Sequence, residues 1–350
     1  MRVGILTSGG DCQGLNGAMY GLVKALNFNC KEKLEIYGIL EGYTGLINGD
    51  YKKMKHEEFE GILNMGGSIL GNSRQPFKRI NDADENGVTK VQSMIKNYKN
   101  MDLDCLVVLG GNGSHKTANL LSEQGLNVVT LPKTIDNDIN GTEMTFGFQS
   151  AIDIATRTLE ELHTTAKSHK RIIIDEIMGN KAGFLTLYSG IAGEADIILI
   201  PEIPYSIDKI VEFINKKLNE GRRHIIIAAA EGIISKEESK LTKKELKQKH
   251  ATENYTSAAV YLEKKLSEKV HREIRAVVPG HIQRGGSPCA YDKVLTSRLG
   301  AKGAELILNK EYGRMVAVVN NEISSVPLSV AVEKPKRVNP NDEIVKQEYA

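Results

Sequence analysis

The sequence has no tryptophan, only four cysteines and almost no net charge. Lys plus Arg total 46 against 44 Asp plus Glu, so the chain lacks the electrostatic field that would attract nucleic acid or an anionic membrane. No C-x-x-C pair occurs among the widely spaced Cys12, Cys30, Cys105 and Cys289. The chain opens directly into a strand-like run at residues 3–6, without a signal peptide, so we expect a protein of the reducing cytoplasm.

Several longer patterns are missing too. No apolar run approaches the roughly 20 residues of a membrane span, and no tandem repeat of about 20 to 50 residues suggests a solenoid. Neither G-x-x-x-x-G-K-[ST] nor a strand-first G-x-G-x-x-G is present, which argues against a P-loop and a generic NAD dehydrogenase. What remains is a chain of 350 residues with 41% hydrophobic content, enough for two ordinary soluble domains.

Short apolar runs alternate with helical periods along the chain. The runs predict strands at residues 2–6, 35–40, 105–109, 128–131, 172–174, 197–200, 225–230 and 276–278. Near-continuous apolar strands of this kind are typical of parallel sheets covered on both faces. One helical stripe repeats at three- and four-residue spacing through Ile152, Ala155, Leu159 and Leu162. The alternation predicts an α/β fold.

Polar, glycine-rich segments follow the predicted strands. In the first half they lie at residues 7–11, 41–45, 110–114 and 132–138; in the second half, at 178–179, 202, 231–232 and 280–284. Because ligands of open α/β sheets bind at the carboxyl ends of strands, we expect each set to share one sheet edge. Residues 236–249 are strongly charged and predict an exposed helix or excursion, to which we assign no function.

The segment from Pro132 to Asp138 carries the richest chemistry. It places two carboxylates, a hydroxyl and an ammonium directly after a predicted buried strand. One carboxylate can take a proton from an alcohol, the other can help hold a metal, and Lys133 can meet a phosphate. An Asx-rich turn that only reverses the chain explains the same residues equally well when the segment is considered alone.

Three further features have a functional and an ordinary interpretation. Glycines at residues 9–10 and 110–113 suit either a polyphosphate nest or plain strand-to-helix turns. Residues 278–288 combine an imidazole, an amide and a guanidinium, a set suited to a sugar phosphate, although single arginines are usually surface charges. Glu231 ends an apolar strand and suits either sugar hydroxyls or a helix cap.

Together these motifs resemble 6-phosphofructokinases of the bacterial short-chain type, from about residue 3 to 322. The resemblance implies two Rossmann-like three-layer αβα domains, with mainly parallel sheets facing across a cleft. It assigns residues 1–147 plus about 283–322 to the phosphoryl donor, and residues 148–282 plus about 323–350 to fructose 6-phosphate. It also implies Mg²⁺, ATP or pyrophosphate as donor, transfer to O1 of fructose 6-phosphate, and a homotetramer.

The resemblance also assigns roles to residues of this sequence. Asp136 matches the catalytic base, Asp138 its partner near the metal, Thr134 a residue orienting the sugar, and Arg74 the cation that steadies the phosphoryl group. Positions of the donor site are Gly9, Tyr43, Arg74, Gly111, Asn112, Gly113 and Ser114. Positions of the sugar site are Thr134, Asp136, Asp138, Met178, Gly179, Glu231, His281 and Arg284, with Arg171 and Arg275 arriving from a neighbouring subunit.

The sequence departs from the family pattern at several positions. Asn112 stands where ATP-using members usually carry an aspartate near Mg²⁺, and Asn180 stands where an arginine usually follows Met-Gly; Lys181 is a possible substitute. Gly113 leaves room for the α-phosphate of ATP, whereas Lys133 matches the pyrophosphate-dependent type. We expect ATP as donor, with pyrophosphate as the alternative.

The remaining alternatives concern regulation and class. Few cations occupy the family's regulatory phosphate pocket, whose positions here are Tyr20, Lys24, His163, Glu220 and Arg222, so we expect weak or absent control by nucleoside diphosphate or phosphoenolpyruvate. A non-catalytic regulatory subunit would explain Asn112 and Asn180, but not the retained Asp136. NAD kinases share a GGDG-like turn and lack the segment at residues 280–288.

Overall fold

We describe residues 1–348 of a computed structural model. The chain divides into two compact units. Unit 1 comprises Met1–Ser150 and Arg284–Lys336, and unit 2 comprises Ala151–Gln283 and the chain from Arg337 onward. The sequence-based boundaries put residues 323–336 in the second domain, but residues 322–327 pair with the strand at 314–319 inside unit 1.

The strands are β1 (Arg2–Thr7), β2 (Glu35–Ile39), β3 (Tyr51–Met54), β4 (Cys105–Gly110), β5 (Val128–Thr134), β6 (Phe146–Gly147), β7 (Ile172–Ile177), β8 (Ile197–Leu199), β9 (Ile225–Ala230), β10 (Ile274–Val277), β11 (Arg314–Val319) and β12 (Glu322–Pro327). The α-helices are α1 (Leu15–Asn29), α2 (Tyr43–Asn48), α3 (Lys90–Asn100), α4 (Asn112–Glu123), α5 (Phe148–His169), α6 (Phe184–Ala192), α7 (Ile207–Asn219), α8 (Lys243–Thr252), α9 (Ala258–Ser267), α10 (Ala290–Leu308), α11 (Leu328–Ala331) and α12 (Glu343–Glu348).

Unit 1 is built on an eight-stranded sheet in the order β12-β11-β5-β4-β1-β2-β3, with β6 beside β5. Its central pairs are parallel, and only β3 and β12 run antiparallel to their neighbours. Side chains of successive residues point to opposite faces, so Leu6, Leu106 and Val108 pack with α2, α3 and α4. On the other face, Leu131 lies close to Gly303 of α10. Helices therefore cover both faces, as the apolar strands predict.

Unit 2 contains a four-stranded, wholly parallel sheet in the order β10-β7-β9-β8. One face packs Ile174 and Ile227 against Ile214 of α7 and Leu262 of α9. On the other face, α6 lies against β8 at Gly190. The predicted α/β class with mainly parallel sheets is confirmed, and each unit has the three-layer αβα arrangement.

Within the described residues, the structure contains four strands that the sequence did not predict, of which β6 has only two residues. The prediction omits β3, whose Tyr-Lys-Lys-Met sequence is mostly polar because it forms an exposed antiparallel edge. It also omits β11 and β12, although the apolar run in β11 carries the usual strand signal. The exposed helix expected within residues 236–249 is α8, which buries none of its side chains. No helix within residues 1–348 has the length and apolarity needed to cross a membrane.

Candidate active site

Three polar segments of unit 1 meet at one sheet edge. Strands β5, β4 and β1 are adjacent and parallel, so the residues after each strand emerge at the same carboxyl end. These are residues 8–11 after β1, 111–114 after β4, and the β5–β6 loop, residues 135–145. The predicted clustering of these segments is therefore present within unit 1.

Three cations converge on the backbone of Gly10. A Cβ atom added to Gly10 would lie 2.9 Å from Nη1 of Arg284 and 3.2 Å from Nη2 of Arg74, so a side chain here would displace both guanidinium groups. Lys133 Nζ donates a hydrogen bond to the Gly10 carbonyl oxygen at 2.6 Å, and Arg284 Nη1 donates to Asp11 O at 3.1 Å. Because none of the three cations forms an ion pair within residues 1–348, this edge is suited to an anion.

Lys133 is 4% exposed, and burial lowers the pKa of its ammonium group. Its neighbour His115 is fully buried, and burial together with Lys133 lowers the pKa of that imidazole to about 3. His115 is therefore neutral near pH 7 and is a poor candidate for a general base. The carboxylates of the β5–β6 loop are the better candidates.

Internal hydrogen bonds fix the shape of the β5–β6 loop. Thr134 Oγ1 accepts a hydrogen bond from the Asp136 amide at 3.1 Å, and Asn137 Oδ1 accepts one from the Thr145 amide at 3.0 Å. Asn137 has φ 50°, a left-handed conformation that asparagine tolerates better than most residues. The Asx-rich turn and the functional interpretation are thus compatible, because the turn itself orients Asp136 and Asp138.

The carboxylate of Asp138 has an unusual environment. Burial, followed by the nearby charge of Asp136, raises its pKa to about 6. Asn112 Nδ2 donates a hydrogen bond to Asp138 Oδ2 at 2.7 Å, which favours the ionised carboxylate. Asn112 therefore contacts Asp138, the residue expected beside the metal. Its side-chain amide supplies a hydrogen-bond donor at the position where an aspartate would supply a negative charge.

These residues fit a cation that is shared with phosphate groups. No group of three or more metal-ligating His, Cys, Asp or Glu side chains occurs within residues 1–348. Mg²⁺, however, is commonly held by only one or two carboxylates together with substrate phosphates and water. Asp136 and Asp138 provide two carboxylates. In addition to burial, the charge of Asp136 raises the pKa of Asp138, and a divalent cation would relieve this repulsion between the two carboxylates.

The other donor-site positions surround the start of α4. A Cβ atom added to Gly113 would have no heavy atom within 4 Å, so the space beside it is open. Gly9 adopts φ 91°, and Gly111 precedes the first turn of α4, where backbone amides favour anions. Tyr43 differs from the expectation that it lines the site, because it is 1% exposed and donates its hydroxyl hydrogen to Ser114 O at 2.8 Å.

Unit 2 holds a separate group of predicted sugar-site residues. Glu231 Oε1 accepts hydrogen bonds from the amides of Gly179 at 3.2 Å and Asn180 at 2.6 Å. Met178 donates its amide hydrogen to Gln283 Oε1 at 3.0 Å. Glu231 thus orders the loop after β7 and does not cap a helix. His281 lies exposed in a short 3₁₀ helix, and Lys181 is also exposed.

The two arginines expected to act across subunits share one acidic partner. Arg171 Nε lies 2.7 Å from Glu273, and Arg275 Nη2 lies 2.6 Å from the same carboxylate. Arg284, which the resemblance placed in the sugar site, belongs to unit 1 and lies beside Gly10. A role for Arg171 and Arg275 in a neighbouring subunit stays a prediction.

Sequence reasoning missed one contact of the β5–β6 loop. Lys336 donates from Nζ to the carbonyl oxygens of Thr142 at 2.9 Å and Glu143 at 3.0 Å. Burial lowers the pKa of this lysine to about 8, while Asp138 and Glu143 oppose the shift. No local pattern around Lys336 signals the contact, since the partners lie more than 190 residues earlier.

Comparisons with known proteins agree with this arrangement. A family model described as phosphofructokinase matches residues 2–307. An ATP-dependent 6-phosphofructokinase of Spirochaeta thermophila is 47% identical over 345 residues, which cover 98% of this chain and 94% of that protein. A pyrophosphate–fructose 6-phosphate 1-phosphotransferase of Amycolatopsis methanolica is 37% identical over 342 residues, covering 97% of each protein. The structure of phosphofructokinase from Saccharomyces cerevisiae matches with a TM-score of 0.79 at 29% identity, over 95% of this chain and 45% of that longer chain. The chain belongs to the phosphofructokinase family.

Proposed function

We propose that this protein is a 6-phosphofructokinase, which transfers the γ-phosphoryl group of ATP to O1 of fructose 6-phosphate. The observation that carries the proposal is the convergence of Arg74, Arg284 and Lys133 on Gly10, at the sheet edge from which Asp136 also emerges. Cations placed around a phosphate, next to a carboxylate able to accept a proton, are the parts that phosphoryl transfer needs. The 47% identical ATP-dependent relative supports the same assignment.

In this mechanism, Asp136 accepts the proton from the O1 hydroxyl of the sugar. The O1 oxygen forms a bond to the γ-phosphorus while the bond from that phosphorus to the β–γ bridging oxygen breaks, leaving ADP. Arg74 stabilises the charge on the moving phosphoryl group, and Lys133 and Arg284 hold phosphate oxygens. Because little covalent chemistry falls to the protein, alignment and charge placement supply most of the rate.

We assign the metal position to Asp138, with Asn112 as its hydrogen-bonded neighbour. A Mg²⁺ ion held by Asp138 would neutralise phosphate charge during the transfer. Asn112 adds no charge, so we expect the affinity for Mg²⁺ to depend on the donor phosphates more than in a site with a third carboxylate. Thr134 orients Asp136 through its amide hydrogen bond.

We assign sugar-phosphate recognition to the group in unit 2. Glu231 uses one carboxylate oxygen for the loop amides, and its second oxygen would accept a hydrogen bond from a sugar hydroxyl. His281, Met178 and Gly179 would complete this surface. Arg171 and Arg275 would reach the sugar phosphate of a neighbouring subunit in a homotetramer, once the phosphate competes with Glu273 for them.

Pyrophosphate is the alternative donor, and one observation favours it. Lys133 extends beneath Gly9, so that a Cβ atom on Gly9 would lie 3.3 Å from the lysine Nζ. The lysine side chain would therefore occupy space near the donor phosphates. The open space at Gly113 favours ATP, because an α-phosphate meets neither a side chain nor a negative charge there. We favour ATP for this reason and because the Spirochaeta thermophila relative, which is 47% identical in sequence, is named as ATP-dependent.

A coupled assay that offers ATP and pyrophosphate separately, with fructose 6-phosphate and Mg²⁺, tests the assignment. The proposal expects fructose 1,6-bisphosphate from ATP at a kcat/KM at least about tenfold above that from pyrophosphate. The reverse preference would identify the pyrophosphate-dependent enzyme. Product from neither donor would refute the enzyme and support a non-catalytic subunit.

We also propose that anionic effectors act weakly. The cations at the family's regulatory positions already have partners, since Arg222 pairs with Asp196 at 2.8 Å and Lys24 donates to the Tyr20 hydroxyl at 3.3 Å. His163 contacts the Gly193 carbonyl oxygen and His224, and Glu220 adds negative charge. Titration with ADP and phosphoenolpyruvate at limiting fructose 6-phosphate should leave the saturation curve nearly unchanged. A large sigmoidal shift would contradict this.

A further inference from the structure

The carboxyl-terminal segment of unit 1, residues 318–336, holds the β5–β6 loop in place. Lys336 contacts the loop twice, through its backbone amide to the Asp138 carbonyl oxygen at 2.8 Å and through Nζ to Thr142 O and Glu143 O. The first contact fixes the part of the loop that carries Asp138, and the second fixes residues 142–143, toward the other end of the loop. A single residue therefore spans both parts of the loop.

Other contacts from the same segment hold the far side of the loop. The Glu143 carboxylate accepts hydrogen bonds from the amides of Asn320 at 2.7 Å and Asn321 at 3.0 Å. Thr142 Oγ1 accepts a hydrogen bond from the Val318 amide at 2.9 Å. These contacts keep Thr142 and Glu143 beside the β11–β12 hairpin even without the lysine. The carbonyl oxygens of these two residues depend on the lysine to different degrees. Thr142 O accepts a hydrogen bond from Lys336 Nζ, whereas Glu143 O accepts one from Lys336 Nζ and another from Asn137 Nδ2 at 3.2 Å.

The lysine side chain has a specific advantage at this position. An ammonium group can donate to several carbonyl oxygens at once, and its charge faces the two carboxylates of Asp138 and Glu143 that lie nearby. A neutral side chain would leave the partly buried Thr142 carbonyl oxygen without the donor that the structure shows for it, and it would remove one of the two donors to Glu143 O. Leaving a buried acceptor without its donor costs more than the contact itself contributes. The loop would relax toward solvent to regain those hydrogen bonds. Asp136 and Asp138 would move with it.

We propose that Lys336 is a positioning residue for phosphoryl transfer, which sets the geometry of Asp136 and Asp138 by holding the β5–β6 loop. The inference rests on the proposed function, since it assigns the loop its chemical role. Lys336 touches neither reactant in this account and acts only through the loop. Its loss should therefore reduce kcat much more than it changes the KM of either substrate.

The test compares three variants of the full-length protein. Lys336→Met removes the ammonium group but keeps most of the aliphatic stem, Lys336→Arg keeps a cation with several donors, and Lys334→Met is a control at an exposed position two residues away. Lys336→Met should lower kcat by about tenfold to a hundredfold, because small misplacements of reacting groups have effects of this size. Lys336→Arg should recover most of the loss, and Lys334→Met should behave like the parent.

A second readout does not depend on activity. Hydrogen exchange of the amides in residues 138–145 should be faster in Lys336→Met than in the parent and in Lys334→Met, while the amides of β1 and β4 keep their protection. An unchanged kcat in Lys336→Met, an equal loss in Lys336→Arg, or unchanged exchange in the loop would overturn the inference. If the parent lacks phosphofructokinase activity, the proposed function fails, and the exchange experiment still decides whether Lys336 holds the loop.

Discussion

The cations at the candidate sites of the two units have different surroundings. In unit 1, Arg74, Arg284 and Lys133 surround Gly10, and none of them forms an ion pair within residues 1–348. In unit 2, Arg171 and Arg275 both pair with Glu273. The cations beside Gly10 are therefore not neutralised by a carboxylate, whereas Arg171 and Arg275 of unit 2 are held by the carboxylate of Glu273.

The units also differ in their buried acids. Asp138 of unit 1 receives a hydrogen bond from Asn112 and lies beside Asp136, in an arrangement suited to a cation. Asp175 of unit 2 is 1% exposed, and neither carboxylate oxygen has a hydrogen-bond partner within the described residues. We propose a chemical role for the first acid, whereas ionisation of the second, without a hydrogen-bond partner in its buried position, reduces stability. Substitutions in each unit should therefore have different effects.

The largest expected effect is the loss of catalysis in Asp136→Asn. The amide keeps the size of the side chain but cannot accept the O1 proton, so kcat should fall by about 10²- to 10⁴-fold. The affinity for ATP, measured by calorimetry, should change by less than about threefold, because the substituted group acts mainly in the transition state. Asp50→Asn, at an exposed turn of unit 1, is the matched control. A kcat near the parent value would remove Asp136 from the mechanism.

The next effect concerns the donor, through Gly113→Asp. The site has open space for the side chain, so a change in ATP binding would reflect charge and not a steric clash. Repulsion of the α-phosphate should raise the KM for ATP by about tenfold or more and leave the KM for pyrophosphate less affected. Gly113→Asn has the same shape without the charge and should resemble the parent. Equal effects of Asp and Asn on the KM for ATP would show that charge at this position does not select the donor.

In unit 2, Glu231→Gln should weaken sugar binding and spare the chemical step. The glutamine oxygen can still accept the amides of Gly179 and Asn180, so the loop keeps its order. Loss of the charged acceptor should raise the KM for fructose 6-phosphate by about tenfold, with kcat and the KM for ATP nearly constant. Steady-state kinetics with each substrate varied in turn provides the measurement. A loss confined to kcat would assign Glu231 to chemistry and end the contrast between the units.

The smallest effect is on stability, through Asp175→Asn. Burial raises the pKa of Asp175 to about 8 in the folded protein, well above its ordinary value of 3.8. The folded state therefore binds this proton more tightly than the unfolded state, and stability falls as the pH rises from about 4 toward about 8. The variant removes this dependence, so its gain in unfolding free energy over the parent should be larger at pH 8 than at pH 5, by roughly 4 kcal/mol.

Urea unfolding of the parent and the variant at both pH values measures this difference. The exposed Asp153→Asn on α5 of unit 2 is the control, and its difference from the parent should not depend on pH. A gain for Asp175→Asn that is the same at pH 5 and pH 8 would show that Asp175 does not titrate as described.

Local sequence was sufficient for the features that depend on residue type and strand order. The segment from Lys133 to Asp138 was predictable because its chemistry follows an apolar strand, and strand β5 does deliver it to the sheet edge. Contacts between distant parts of the chain were not predictable in this way. The burial of Tyr43 beneath Ser114 and the pairing of Arg171 with Glu273 depend on how the segments pack, which no local pattern records. The edge strand β3 was not predicted, because its exposed residues are polar and lack the apolar pattern by which strands are recognised.

The central claim is that unit 1 moves a phosphoryl group from ATP to a sugar hydroxyl. The most direct measurement is ³¹P NMR of the parent enzyme with ATP, fructose 6-phosphate and Mg²⁺, followed over time. The account predicts that each ATP lost yields one ADP and one new phosphomonoester at O1 of the sugar, and that Asp136→Asn slows both together. ADP with inorganic phosphate and no new sugar ester, or an unchanged rate in the variant, would contradict it.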